Sequence, residues 1–298
     1  MNKDTLINSL NKINNFKIAV VGDIVLDKYT YGRIERVNPE NPRVPLLKVY
    51  SEEFRLGCAA NVALNLITLG AKVQLYGVIG SDIYGKNVED LCNKNGLNYK
   101  FVYNEKTIVK ERCNESEFDE YLLRKDYGEE NLSDLDNNSQ KELYEAIKKE
   151  DFNAIILSDY NKIIFRNDFG KRLVELANSK NTPIIVDPKP INALSFAGST
   201  LIRPNIKEAR EITGYKNNEI EEVVKKLREI TRSKYAVVTC GKDGIACYDG
   251  KNYNKIQTRA RKKVDVTGAG DTACAGLTIG LLSGLSLIEC AQLANYAA

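Results

Sequence analysis

The run Phe16-Lys17-Ile18-Ala19-Val20-Val21-Gly22-Asp23-Ile24-Val25-Leu26-Asp27 decides the fold class: a short apolar, β-rich segment stops at a glycine and an acid. Similar runs recur at 73–78, 154–157, 183–186, 201–202 and 236–239. Between them lie helical patterns at 59–69, 83–95, 139–149, 168–179, 219–231 and 269–283, with apolar residues three and four apart. This alternation predicts an α/β chain built on a mostly parallel central sheet with helices on both faces. The rhythm breaks at about 29–50 and 100–127, where alternation such as Val44-x-Leu46 and Thr107-x-Val109-x-Glu111 appears without intervening helices. These segments are read as antiparallel strands forming a small β lid, and residues 1–298 as one domain carrying it.

With 298 residues, 43% of them hydrophobic, the chain has enough material for a large core. Its 43 basic and 40 acidic residues leave a net charge of +3 with no basic run, which argues against nucleic acid as a partner. The N-terminal residues lack the apolar stretch of a signal peptide, and the apolar segment 273–287 is broken by Gly and Ser, so neither secretion nor a membrane is expected and the cytoplasm is the expected location. Seven cysteines, without a C-x-x-C pair, fit reduced thiols. The absence of histidine removes His bases, His-activated nucleophiles and His-ligated zinc at once. Chemistry is left to carboxylates, Lys, Arg, backbone amides and a bound ion.

The strongest constellation is Asp265-Val266-Thr267-Gly268-Ala269-Gly270-Asp271-Thr272, which leads into an apolar helix. Small residues at Gly268, Ala269 and Gly270 let a phosphate approach the unpaired amides of a helix start, an anion hole on the positive end of the helix dipole. Asp271, kept ionised by the same dipole, suits a base that accepts a proton during phosphoryl transfer. A glycine turn capped by Asp and Thr explains the same string with no chemistry. Asp23 and Asp27 follow the end of the first strand, where ligands gather in open sheets, and suit sugar hydroxyls, although by themselves a turn Asp and a solvated Asp are the simpler explanation. Gly57-Cys58-Ala59-Ala60-Asn61 opens a helix with room for a ligand above Gly57, or else serves tight packing. Lys189 closes one strand and Asn205-Ile206-Lys207-Glu208 follows another. Lys189 suits a transferred phosphate, and Asn205 with Glu208 suits magnesium held through water, while helix capping is their plain alternative.

Taken in order, these motifs resemble the ribokinase-like (PfkB) carbohydrate kinase family along nearly the whole chain. The resemblance implies a ribokinase-like three-layer sandwich, ATP and Mg2+, Asp271 as base, and a part for Asn205 and Glu208 in placing metal and phosphate. It assigns Thr239 and Gly241, in Val238-Thr239-Cys240-Gly241, and Asn295 to the nucleotide site, and allows a monovalent cation and a homodimer through the lid. Within the family, Asp27-Lys28-Tyr29, Asn38-Pro39-Glu40-Asn41-Pro42, Leu157-Ser158-Asp159-Tyr160 and Val186-Asp187-Pro188-Lys189 look like the heptose 7-phosphate kinases. That likeness implies a sugar phosphate acceptor, with Asp23, Asp27, Gly57, Asn61, Arg124 and Lys189 binding it. Arg124 is the first choice for the acceptor's phosphate among Arg33, Arg36, Arg124, Lys125 and Lys189, because a guanidinium grips phosphate through two parallel hydrogen bonds. Cys58 departs from the family's glycine, and the sequence stops at Ala298, inside a helix that in relatives is followed by more chain, some of it near the adenine pocket. Bifunctional relatives carry a nucleotidyltransferase half with a His-containing motif, which a chain lacking His does not contain. Another sugar or a nucleoside as acceptor, and a silent nucleotide binder, remain alternatives; Gly22-Asp23 in place of G-x-G-x-x-G opposes a dinucleotide oxidoreductase.

Overall fold

The computed structural model describes residue 7, residues 11–115, 120–130, 135–258 and 268–298, apart from the side chains of 35–37 and 120. Along the chain run β1 (Lys17–Gly22), β2 (Ile24–Val37), β3 (Pro45–Cys58), α1 (Ala59–Thr68), β4 (Lys72–Gly80), α2 (Ile83–Lys94), β5 (Asn98–Asn104), β6 (Ile108–Glu115) and β7 (Glu120–Tyr127). The second half continues with α3 (Asn137–Lys149), β8 (Ala154–Ser158), α4 (Phe169–Ser179), β9 (Ile184–Asp187), β10 (Leu201–Ile202), α5 (Ile206–Thr213) and α6 (Ile220–Thr231). Last come β11 (Tyr235–Thr239), β12 (Ile245–Tyr248), β13 (Tyr253–Ile256), α7 (Ala269–Leu282) and α8 (Leu287–Ala297).

Among the described residues the main sheet has nine strands in the order β13-β12-β11-β10-β9-β8-β1-β4-β5. Every pairing from β5 to β11 is parallel; β12 and β13 are added antiparallel at one edge. The parallel strands read as continuous apolar runs because both faces are covered. In β1 the two faces show this directly: Ile18 and Val20 pack with Leu75 and Ile156 into one core, with α1 and α7, while Ala19 and Val21 pack with Leu157 and with Phe169 and Leu173 of α4 into another. Full burial of one such aliphatic side chain is worth about 1.5–3 kcal/mol, so a charge placed at Val20 would unseat the sheet's centre.

A second, four-stranded sheet in the order β3-β2-β6-β7 forms the lid. Its β2–β3 and β6–β7 pairs are antiparallel, and β2–β6 is parallel, a pairing the alternation alone did not disclose. The lid strands begin at Ile24 and at Ile108, earlier and later than the sequence breaks at 29 and 100, because β5 (Asn98–Asn104) pairs with β4 in the main sheet. No helix among the described residues is long and apolar enough to cross a membrane. All seven cysteines are free thiols, and all but Cys240 are buried.

Candidate active site

Asp271 stands in the first turn of α7, only 5% exposed. Its Oδ2 accepts a hydrogen bond from the Asn61 side-chain amide at 2.7 Å, and its Oδ1 accepts one from the Tyr160 hydroxyl at 2.8 Å. Burial pushes the carboxyl above its ordinary range, while Asn61, Tyr160 and the Arg203 guanidinium hold it down. Gly268, the N-cap, has φ +84°, a left-handed conformation costly for other residues, and a Cβ there would meet the Asn61 amide nitrogen at 2.8 Å. Beneath the helix start lies Arg203, 3% exposed and ion-paired with Asp187. A Cβ on Gly270 would stand 3.1 Å from Arg203 Nη1, so a fixed positive charge underlies the amides of 268–270. Asp265, Val266 and Thr267 of the motif lie outside the described residues.

Around this centre the carboxyl ends of the strands supply the rest. Lys189, just past β9, contacts Glu208 Oε1 at 2.5 Å, and its ammonium sits 5.1 Å from the Tyr160 ring centre. Lys110 of β6 reaches the same ring from the lid at 6.0 Å, so Tyr160 is flanked by cations of both sheets. Asn205 and Glu208 form a reciprocal capping box at the head of α5, each side chain accepting the other's backbone N–H at 2.9 Å. Capping does not exhaust the pair: each carboxylate oxygen keeps a lone pair, and an anionic oxygen donor beside Lys189 fits magnesium held through water. Asn205 is also bridged in parallel to Thr239, whose backbone lies next to Gly241 at the β11 end, φ +56°.

Asp27 accepts from Arg112 Nη1 at 2.5 Å, and the two side chains are 15% and 18% exposed. Gly57, in β3, leaves the space that this carboxylate fills; a Cβ there would run into Asp27 Oδ2. Cys58 follows at φ +53°, a conformation in which a side chain is strained, and packs with Val25, Ile108 and Tyr160.

Asp23 differs from the sequence reading. Its carboxylate, 3% exposed, accepts four backbone N–H groups, those of Tyr160 and Lys162 on Oδ2 and of Ile163 and Ile164 on Oδ1, at 2.9–3.2 Å. A carboxylate saturated in this way fastens the loop after β8 and has no face left for a sugar. Arg124 also stands apart from the cluster: its guanidinium donates to Asp126 of its own strand at 2.8 Å and is 49% exposed, directly opposite Arg112. Arg36 has no described side chain. Asn295 donates to the Gln257 carbonyl at 3.0 Å and lines, with Thr258 and Tyr296, a separate cavity of about 360 Å³. Lys110, Arg112 and Arg203 were given no role from the sequence, and Tyr160 entered only as the end of the string Leu157–Tyr160. Only the tertiary fold brings them to Asp271 and Asp27.

The profile of the pfkB family of carbohydrate kinases matches residues 15–298. The chain belongs to this family. It is 37% identical over 288 residues to the "Bifunctional protein HldE" of Coxiella burnetii (strain Dugway 5J108-111), an overlap of 95% of this chain and 59% of that protein. With the protein of the same name from Wolinella succinogenes it shares 35% over 296 residues, 94% of this chain and 60% of that one. The chain thus spans 59–60% of the length of these curated relatives. Among solved structures, the tetrameric inhibited form of phosphofructokinase-2 from Escherichia coli superposes with a TM-score of 0.80 at 17% identity, covering 95% of this chain and 92% of that one. A carbohydrate kinase from Agrobacterium tumefaciens gives 0.72 at 20%, covering 95% and 89%. These likenesses are of fold, and with the family match they establish the ribokinase-like α/β architecture expected from the sequence.

Proposed function

We propose that this pfkB-family chain transfers the γ-phosphoryl group of ATP to O1 of D-glycero-D-manno-heptose 7-phosphate, giving the 1,7-bisphosphate. The observation that carries the kinase reading is Asp271, a buried carboxylate at a glycine-headed helix start with Arg203 beneath the same amides. In that reading the acceptor hydroxyl gives its proton to Asp271 as its oxygen bonds to phosphorus, and ADP leaves. The amides of Gly268, Ala269 and Gly270 receive the charge of the transferring group where the helix dipole favours it. Asn205 and Glu208 would hold Mg2+ through water, with Thr239, Gly241 and Asn295 toward the nucleotide; a monovalent cation is compatible with the same frame.

A phosphorylated acceptor is supported by Lys110 and Arg112, which alternate on the lid face that meets Tyr160 and Asp27. Two cations at that spacing suit a dianion held away from the reacting hydroxyl. Arg124, opposite Arg112, and Lys189 extend the same positive field, and Asn61 and Gly57 complete the acceptor side. The motifs Asp27-Lys28-Tyr29, Asn38-Pro39-Glu40-Asn41-Pro42, Leu157-Ser158-Asp159-Tyr160 and Val186-Asp187-Pro188-Lys189, which look like the heptose 7-phosphate kinases, support the heptose reading. Exposed Ile34, Val49, Tyr121 and Leu123 on the lid strands support a homodimer through the lid. An enzyme working on ATP and a free sugar phosphate is proposed to act in the cytoplasm.

The test is ADP release in a panel of heptose 7-phosphate, fructose 6-phosphate, unphosphorylated heptose, ribose and a nucleoside. The proposal expects turnover to be fastest with the heptose phosphate. Faster turnover of an unphosphorylated acceptor would move the chain to another branch of the family.

A further inference from the structure

Tyr160 enters the site through three independent contacts. Its backbone N–H is held by the buried carboxylate of Asp23, its ring lies between the ammonium groups of Lys110 and Lys189, and its hydroxyl donates to Asp271 Oδ1 at 2.8 Å. Asp23 fastens the same loop at 162, 163 and 164, so the backbone from which the phenol reaches Asp271 is held in place. With Asn61 on Oδ2, both oxygens of Asp271 carry a fixed donor, and the carboxylate plane is set by groups from α1 and from the loop after β8.

We propose that Tyr160 is a positioning residue for Asp271, fixing the carboxylate's orientation and favouring its ionised form through the Oδ1 hydrogen bond, on a loop that Asp23 anchors. This rests on the reading of Asp271 as the base. Each carboxylate oxygen has a second lone pair, so the acceptor hydroxyl can approach while both donors stay in place. The proton moves from the acceptor oxygen to Asp271, and Tyr160 keeps its own. Burial first, and then the acidic neighbours Cys58, Asp271 and Asp187, push the phenol well above its ordinary value, so it remains a donor throughout the working range. The charged and titratable groups facing Asp271 come from every element around it: Asp27 of β2, Cys58 at the end of β3, Tyr160 after β8, Asp187 of β9, Arg203 after β10 and Cys274 of α7. Of these, Tyr160 is the one whose hydrogen bond to Asp271 is removed by deleting a single atom.

The test compares wild type, Tyr160→Phe and Asp271→Asn. Phe keeps the ring between the two lysines and loses only the hydroxyl. Two readouts are taken: the pH dependence of kcat with the best acceptor, and the midpoint of the Asp271 carboxyl 13C signal in the free protein. In Tyr160→Phe both the acid limb of kcat and the carbon midpoint move to higher pH, by about one unit for the loss of a hydrogen bond to a charged group, with the KM for ATP unchanged. Superimposable limbs and midpoints in wild type and Tyr160→Phe overturn the Tyr160 role even if Asp271→Asn is inactive. A shifted carbon midpoint together with an active Asp271→Asn leaves the Tyr160–Asp271 coupling in place and overturns the base assignment on which its catalytic meaning rests.

Discussion

Arg112 and Asp27 meet at 2.5 Å between β6 and β2, each less than one-fifth exposed, on the lid face that looks toward Tyr160. Directly across from Arg112 stands Arg124, half-exposed and paired with Asp126. Both guanidiniums have a carboxylate partner, but only Arg112 holds one that the proposed function puts on the acceptor side. Arg112→Ala is therefore expected to cost roughly 1.5–3 kcal/mol of acceptor binding, the range for a charge-assisted contact, and Arg124→Ala less than about 1 kcal/mol, as for exposed pairs. KM measured for phosphorylated and unphosphorylated acceptors checks this: the Arg112 loss should be confined to the phosphorylated one, and a larger loss from Arg124→Ala would return the phosphate to that residue.

Asp23 should behave as a stability residue. Asp23→Ala leaves four amides, two buried and two part-buried, without their acceptor, and at roughly 1–3 kcal/mol per orphaned buried group even partial rescue by water leaves a loss of several kcal/mol. Urea melts would show it as a lower midpoint. An unchanged midpoint with a raised acceptor KM would restore Asp23 to sugar binding.

Much of the architecture was legible along the chain. β1, β4, β8, β9 and β11 are buried on both faces, so their apolar runs stand out, and the helices between them repeat at three and four. The Asp271 helix start was legible for the same local reason, since the glycines that shape it are contiguous with the acid. The contacts around it were not. Asn61 lies 210 positions from Asp271 and Tyr160 lies 111 away, and nothing in the spacing of either reports the meeting. Asp23 misled because a strand-end acid looks the same in sequence whether it faces a sugar or a ring of amides. The lid's limits shifted because β5 alternates like a lid strand yet closes the main sheet.

Cys58 gives a prediction about size. At φ +53° and packed against Tyr160, it tolerates glycine in conformation and resists anything branched. Cys58→Val should lose about 1–3 kcal/mol through strain and overpacking, and raise the acceptor KM, whereas Cys58→Gly should stay within about 1 kcal/mol of wild type. Thermal melts of the two variants check it, and equal melting points for Val and Gly would show that the strain is absorbed elsewhere.

The lid should be acid-sensitive through Glu111. This buried carboxylate is opposed by its own burial, yet hydrogen bonds from Lys125, Thr30 and Tyr127 and the charge of Lys28 bring it down to about 2 from the ordinary 4.5. A carboxyl lowered in the folded state binds fewer protons there, so its contribution is present above pH 4.5 and is lost as the pH falls toward 2. Urea midpoints compared at two pH values, one above and one inside that window, should fall for wild type and fall less for Glu111→Gln. Parallel falls in both proteins would assign the acid sensitivity to other groups.

Whether Asp271 takes the acceptor's proton is decided by Asp271→Asn, because the amide keeps the shape and the Asn61 and Tyr160 neighbours while losing the basic oxygen. ADP release at saturating ATP and acceptor, with ATP binding followed by calorimetry on the same sample, separates chemistry from binding. In Asp271→Asn kcat should fall on the order of a hundred- to ten-thousand-fold, with ATP affinity within about threefold of wild type. Retention of more than about a tenth of wild-type turnover would contradict it.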